Sequence, residues 1–443
     1  YFIYMKRRPE TDQPTILMTI SHDTGRYIGT YGKNVSTPAL DELAKDGIQF
    51  NQYFCSQPQC SPSRGSILTG LYSHRHGMMG LAHMGHTMHE NVETLPMKLK
   101  EIGYKTSLFG MYHESINGKQ DPYELGYDHY QEVPGNLAKD VTKYFVEYLN
   151  EQKESQQPFF ASVGFEETHR PFPIETSVSV EDVDIPPYLP DTPEVREDLA
   201  YFYQSIKDMD KAVEQIIQSL KDNGLYERTI IIYTTDHGIA FPRAKGTLYD
   251  SGLETAFIIR FPKGMVKQGY AAEQLICNID LMPTLLDIVG GNIPENIDGV
   301  SFWPLIKGEV VKTRDHFYAQ LTWHDRYHPM RAVRTERYKY IKNFIKGPKV
   351  YMPYDIHTSL SGQSVKQDYY VENVEEELYD LKVDPHEMNN VIDNPKYADI
   401  VDELRKKLKG WMEETNDPLI KGDVPGYEAD EWKSVDDDFY SKE

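Results

Sequence analysis

A mostly parallel α/β sheet flanked by helices, followed by a smaller α+β unit built on an antiparallel sheet, is the fold this sequence predicts. Three observations carry it. Apolar runs at residues 15–21, 104–110, 158–165 and 229–235 alternate with amphipathic segments of helical period, the pattern of a parallel sheet covered on both faces. Each run ends in a polar cluster that contains histidine, and open α/β sheets bind ligands just outside the carboxyl ends of their strands. Past about residue 305 the pattern changes to alternating, tyrosine-rich stretches. At 443 residues the chain exceeds one ordinary core. A larger domain over 1–305 and a C-terminal α+β subdomain over 306–443 are therefore expected.

Taken in order, the run from Thr15 to Ser21 has no polar face, as a strand buried on both sides requires, and it leads into His22-Asp23-Thr24-Gly25. Thr37 and Pro38 open a helix and Gly47 closes it, by N-cap, first-turn proline and C-terminal glycine. Residues 47–54 then lead to a loop carrying Cys60. A helix is expected from about Ser63, with Cys60 at its N-terminus, where unpaired amides and the helix dipole favour an anion. Residues 95–102 read as a helix stopped at Gly103, and 104–110 as a strand leading to Met111-Tyr112-His113. A helix over 140–153 precedes a strand over 158–165, which ends in Glu166-Glu167-Thr168-His169-Arg170-Pro171. Prolines and acids between Glu181 and Pro193 predict an irregular loop, and 197–222 a long amphipathic helix ended by Gly224. The run 229–235 is the clearest buried strand and ends in Asp236-His237-Gly238. In the C-terminal part, 331–344 and 377–381 read as antiparallel strands, 397–415 as a helix, and the acidic tail from Asp423 as irregular.

Polar clusters that follow several strands of one parallel sheet should meet at one edge, and that convergence defines the candidate site. Asp23, Asp236 and His237 offer the oxygen and imidazole donors that a divalent cation takes from more than one element. His22 either joins them or hydrogen-bonds to them. Cys60 is a nucleophile or metal ligand if its thiol ionises, and a small buried hydrophobe if it does not.

The run Cys60-Ser61-Pro62-Ser63-Arg64-Gly65-Ser66-Ile67-Leu68-Thr69-Gly70 resembles the signature of the type I sulfatases. The resemblance spans most of the chain, through Phe241-Pro242-Arg243-Ala244-Lys245-Gly246-Thr247-Leu248-Tyr249 to Leu378-Tyr379-Asp380-Leu381 and Asp384-Pro385. Within the family, Gly238-Ile239-Ala240-Phe241-Pro242 and Pro329-Met330-Arg331-Ala332-Val333-Arg334 look like heparan N-sulfatase (sulfamidase) and its bacterial relatives. The resemblance implies an alkaline-phosphatase-like fold, with 1–305 as the catalytic domain. It also implies hydrolysis of a sulfate ester or sulfamate of a sugar derived from a glycosaminoglycan.

The roles it implies are specific. Cys60, oxidised to formylglycine by a maturation enzyme, is the nucleophile position, and Arg64 orients the resulting diol. His113 holds and deprotonates that group, His169 protonates the leaving group, and Lys245 contacts the sulfate. Asp23, Asp236, His237 and residue 60, with His22 as a further candidate, hold one divalent cation, in this family calcium. Two departures stand out. The family places two acids after the first strand, and here the first is His22; the added imidazole admits manganese or zinc. The family's Gly-Lys-x-His element reads Gly110-Met111-Tyr112-His113, so one cation on the sulfate is missing, to be replaced by His22 or another basic residue.

His74, His76, His83, His86 and His89 are not read as a second metal site. His74-Arg75-His76-Gly77 looks like the stretch that normally follows the signature, and the others line the cleft or face solvent. His324 and Arg331 are candidate substrate contacts from the second domain.

Bulk properties narrow the function. With 47 Lys and Arg against 69 Asp and Glu, the net charge of −22 argues against nucleic-acid and membrane-surface partners. It also opposes an anionic substrate, so the site must reverse the field locally. Three cysteines are too few for a disulfide scaffold. No run is long enough to cross a bilayer. No apolar segment follows Lys6, Arg7 and Arg8, so no signal peptide is visible. A cytoplasmic chain is the expectation, or a periplasmic or secreted one if a leader was removed. The residues do not decide between a monomer and an oligomer. Two rival readings stay open: a phosphonate or phosphate ester hydrolase of the same superfamily, and a non-catalytic carbohydrate-binding relative.

Overall fold

The computed structural model describes residues 13–114 and 121–427; the basic N-terminal stretch and most of the acidic tail lie outside them. In chain order the strands are β1 (Thr15–Ser21), β2 (Ile48–Phe50), β3 (Tyr53–Phe54), β4 (Lys105–Gly110), β5 (His129–Gln131), β6 (Phe159–Gly164) and β7 (Thr229–Thr235). They continue with β8 (Phe257–Arg260), β9 (Tyr270–Ala272), β10 (Ile276–Cys277), β11 (His316–Trp323), β12 (Tyr327–Thr335), β13 (Tyr338–Asn343) and β14 (Glu376–Asp380).

Eight strands form one sheet in the order β5-β4-β6-β1-β7-β8-β2-β9. From β5 to β7 every neighbouring pair is parallel, and β8 is antiparallel to both β7 and β2. The unbroken apolar runs have a direct cause, because both faces of the sheet are covered. Along β1, Leu17 faces one apolar layer while Ile16, Met18 and Ile20 face the other. Along β7, Ile231 and Tyr233 oppose Ile230 and Ile232 in the same way. Helices Pro38–Asp46, Ala138–Gln152 and Pro193–Asp222 supply the first layer, and Leu281–Val289 packs in the second.

The four apolar runs read from sequence are β1, β4, β6 and β7, and they are adjacent. Their ends are also in register: Ser21 pairs with Thr235, Ile20 with Gly164, and Gly164 with Gly110. The chain therefore leaves all four strands at one level of one edge. The close fit there leaves no room at Gly164, where an added Cβ would lie 1.9 Å from the Met111 carbonyl oxygen.

The C-terminal part carries the expected antiparallel sheet, in the order β11-β12-β13-β14. The stretch read as 331–344 is a hairpin of β12 and β13. Helix Ala398–Glu414 buries Val401, Leu404, Leu408, Trp411 and Met412 in the apolar cluster of this sheet, at helical spacing, and Trp411 stacks on Tyr318 at 4.6 Å. No helix among the described residues is long and apolar enough to cross a membrane.

Several boundaries shift from the sequence reading, and two of the shifts bear on the site and its frame. The helix expected near Ser63 runs Cys60–Thr69; Pro62 lies inside its first turn, where no amide donor is needed. The long helix begins at Pro193, with the Thr192 hydroxyl accepting from Val195 N at 3.3 Å. Gly47 does end its helix, but in extended backbone. Glycine is required there by crowding, since a Cβ would meet the Ile259 carbonyl oxygen at 2.7 Å.

Candidate active site

The first turn of helix Cys60–Thr69 points into the edge where β1, β4, β6 and β7 end. Cys60 is its first residue, so the thiol sits among unpaired helix amides at the positive end of the dipole. The helix is held against β7 from beneath: Ser63 donates to the Asp236 carbonyl at 2.5 Å, and the Asn278 amide donates to Ser63 Oγ at 3.0 Å. On its other side the ring of His76 lies against Gly65, where a Cβ would come within 2.8 Å of Cε1. The same ring contacts the Pro62 carbonyl at 3.2 Å and Ser66 Oγ at 3.3 Å. His76 is thus a prop for the signature helix.

Around the thiol, the sequence candidates converge. His22, Asp23, Cys60, Asp236 and His237 are all buried and each places one donor atom within 4.8 Å of the others. Cys60 Sγ is 3.4 Å from His237 Nε2 and 4.0 Å from both His22 Nδ1 and Asp23 Oδ1. Asp23 Oδ1 lies 2.7 Å from His22 Nδ1 and 2.9 Å from His237 Nε2. Asp236 Oδ1 accepts from the amides of Asp23 and His237 at 3.0 and 2.9 Å, and Oδ2 accepts from Arg64 Nε at 3.1 Å. The second nitrogen of His237, Nδ1, pairs with the Gly238 carbonyl at 2.9 Å. That bond places a proton on Nδ1 and turns Nε2 toward the cluster, the orientation that metal-binding histidines use.

Lys245 is fully buried and bonds Asp23 Oδ2 at 2.7 Å and Asp355 Oδ2 at 3.1 Å. His169 turns Nδ1 toward the Arg170 carbonyl at 2.5 Å, so Nε2 is the nitrogen that faces Asp23 and Asp355, each at 3.9 Å. His22 is the hub of the imidazoles, with ring centroids 4.5 Å from His169, 5.2 Å from His113 and 6.3 Å from His237. His83 extends the group at 6.1 Å from His113.

Electrostatics follow from burying these charges together. Burial pushes the Cys60 thiol up, but His22, Lys245 and a hydrogen bond from His113 outweigh it and hold the thiol well below its ordinary value. Burial likewise opposes ionisation of Asp23, and Lys245, His22 and His237 reverse it, so the carboxyl stays well below the usual carboxylate range. Burial disfavours charge on His237, yet Asp236 and Asp23 push its pKa up to about 10. Two carboxylates and an ionised sulfur converging in a dry pocket call for positive charge, and they fit a bound divalent cation. Lys245, Arg64 and His237 oppose the net charge of −22 at this point, and a bound cation would complete the reversal.

The residues proposed as nucleophile, metal ligands and proton-transfer groups lie together at this edge. Met111 turns its sulfur to Asn136 Nδ2, which donates to it at 3.7 Å. Arg331 is not a substrate contact. It is fully buried, paired with Asp417 Oδ2 at 2.5 Å and Oδ1 at 3.0 Å, and it ties the C-terminal sheet to the segment after helix Ala398–Glu414. His324 is nearly buried beside Asp325, 3.5 Å from Oδ1. Of the other histidines, His74 pairs with the Gln320 amide at 2.7 Å, and none of His74, His76, His86 and His89 belongs to a donor cluster among the described residues.

Asp355 was not found from sequence. It lies in the first turn of a short helix, Tyr354–His357, where an acid ordinarily only complements the helix dipole. Its place beside Lys245 is set by a distant contact, Tyr354 N donating to Asp325 Oδ2 at 2.7 Å.

Comparison with known proteins agrees with this geometry. A family model described as Sulfatase matches residues 14–291, and one described as N-sulphoglucosamine sulphohydrolase, C-terminal, matches 241–362 and 356–414. An ulvan-active sulfatase of Formosa agariphila is 31% identical over 90% of this chain and 75% of its own length. Human N-sulphoglucosamine sulphohydrolase is 27% identical over 91% of each chain. A solved structure described as a putative sulfatase from Bacteroides fragilis superposes with a TM-score of 0.73 at 24% identity, covering 94% of this chain and 99% of that one.

Proposed function

Because this chain belongs to the sulfatase family and is a sulfuric ester or sulfamate hydrolase, we propose that its substrate is a sulfated sugar derived from a glycosaminoglycan or a similar sulfated polysaccharide. The named relatives support a saccharide: one acts on ulvan, and another is an N-sulphoglucosamine sulphohydrolase. The observation that carries the mechanism is the convergence of Cys60, Lys245 and the buried Asp23–Asp236–His237 cluster with the half-buried His113 and His169.

On this reading a formylglycine made from Cys60 by a maturation enzyme supplies an aldehyde hydrate as the nucleophilic oxygen, and a divalent cation held by His22, Asp23, Asp236 and His237 supplies Lewis acidity. The chain's own residues do the rest. Arg64, anchored by Asp236 at 3.1 Å, fixes the orientation of residue 60. His113, hydrogen-bonded to residue 60, accepts its proton. Lys245, 2.7 Å from Asp23, faces the sulfuryl oxygens and neutralises the charge that grows on them. His169 presents Nε2 on the same side, so its proton is available to the departing oxygen or nitrogen.

The test is a screen of N- and O-sulfated mono- and disaccharides beside phosphate and phosphonate monoesters, with released sulfate and phosphate counted. Sulfate release from at least one saccharide at a kcat/KM well above that for any phosphate ester is expected. Preferential phosphate or phosphonate turnover would transfer the assignment to the rival hydrolase class.

A further inference from the structure

We infer that the cation of this site is an imidazole-binding transition ion, zinc or manganese, and that the pocket discriminates against calcium. The inference deepens the sulfatase reading, on which it rests only for the presence of one cation.

It stands on the donor atoms. The cluster offers two imidazole nitrogens, two carboxylates and residue 60. Calcium takes six to eight oxygens in a flexible shell, and imidazole suits zinc and other first-row transition ions. Oxygen is scarce here, and much of it is already engaged. Asp23 Oδ2 is held by Lys245 at 2.7 Å. Asp236 Oδ1 accepts from two backbone amides at 3.0 and 2.9 Å, and Oδ2 from Arg64 at 3.1 Å. These bonds pin both carboxylates and oppose the bidentate swing by which an acid adds oxygens to a calcium shell.

The nitrogen donors, by contrast, are set for a metal. His237 Nε2 faces Asp23 Oδ1 at 2.9 Å and the Cys60 sulfur at 3.4 Å, with its tautomer fixed by the Gly238 carbonyl. His22 is fully buried with Nδ1 facing Asp23 at 2.7 Å and Asp236 at 3.3 Å. Its Nε2 is buried without a partner among the described residues, so Nδ1 is the nitrogen presented to the cluster. A sequence that replaces a carboxylate by imidazole at this point removes up to two oxygens and one negative charge from the shell. Both losses weaken calcium more than an ion that bonds nitrogen.

The experiment uses the full chain, stripped with a chelator and dialysed against zinc, manganese and calcium together at equal low concentration. Retained metal is counted per chain by mass spectrometry, and melting is followed with each ion alone. One equivalent of zinc or manganese is expected, with calcium below about a tenth of an equivalent, and the melting temperature should rise with the retained ion only. His22→Asp should lower zinc retention at least tenfold, the scale on which even outer-shell changes act on metal affinity, and should admit calcium. If that variant does not fold, His22→Gln should still lose the zinc. One equivalent of calcium retained by the wild type in competition would overturn the inference. So would zinc retention unchanged in both His22→Gln and His237→Ala, which would locate the zinc elsewhere on the chain. None of these readouts needs turnover, so a failed substrate screen with selective zinc uptake counts against the sulfatase reading and leaves the metal inference standing.

Discussion

Replacing Lys245 with methionine removes one buried cation while keeping nearly the same side-chain length. In the wild type its ammonium group lies 2.7 Å from Asp23 and 3.1 Å from Asp355, and Asp23 is fully buried. Removing one partner of a buried pair costs about 3–5 kcal/mol. The figure for this site should fall at the low end, because His22 and His237 still face Asp23 at 2.7 and 2.9 Å. Against a typical stability of about 5–15 kcal/mol the variant should fold, with a melting temperature several degrees lower. The catalytic loss should be larger than the structural one. A preorganised donor facing the charge that develops in the transition state contributes about 10²–10³ in kcat. Attraction by Asp23 and Asp355 outweighs burial and holds the Lys245 pKa well above its ordinary value, so the wild-type group is cationic throughout the assay range. The loss in Lys245→Met should therefore be present at both pH 5 and pH 8, its size changing between them only as far as the His169 pKa rises once the Lys245 charge is gone. The assay is kcat/KM for an aryl sulfate across that range, on protein shown to be folded by its melt. Activity within tenfold of wild type would remove Lys245 from the sulfuryl contact.

Other perturbations have equally definite outcomes. Asp355→Asn should move the basic limb of the pH profile to lower pH: burial and Lys245 lower the His169 pKa, Asp355 raises it, and a general acid stops working as pH climbs through its pKa; a limb that stays put would remove Asp355 from this role. Gly65→Ala should lower stability by about 1–3 kcal/mol through the clash with His76, and part of the loss should return in the double variant with His76→Ala; strictly additive melts would show that the two do not touch. Arg405 holds the Glu376 carboxyl down at about 2, against 4.5 when unpaired. Their mutual stabilisation is therefore complete above pH 4.5 and fades as pH falls toward 2. Arg405→Ala should cost about 1 kcal/mol at pH 7, since Arg405 is partly exposed, and nothing near pH 2; a cost independent of pH would point to lost packing instead.

How far the sequence reveals this molecule follows from what each element contacts. The four strands that carry the site are legible because burial on both faces leaves them continuously apolar, and the residues after them are conspicuous because polar groups break that run. The edge at which they meet follows from parallel pairing alone. Asp355 is not legible, because its role depends on a contact between Tyr354 and Asp325 that no local pattern announces. Arg331 misleads for the opposite reason: a cation in a familiar-looking stretch suggests a ligand contact, but Asp417, 86 residues on, takes its charge. The Cys60 helix starts three residues before the expected point because proline in a first turn marks a start only to within that turn.

The claim on which everything else depends is that the group at position 60 attacks sulfur. Sulfate release is therefore measured for wild type and Cys60→Ala side by side, on protein whose residue 60 has been identified by peptide mass, with circular dichroism and melting recorded for both. Wild type carrying formylglycine should release sulfate, while the alanine variant, equally folded, should release none above background. Turnover by Cys60→Ala close to that of wild type would contradict the account.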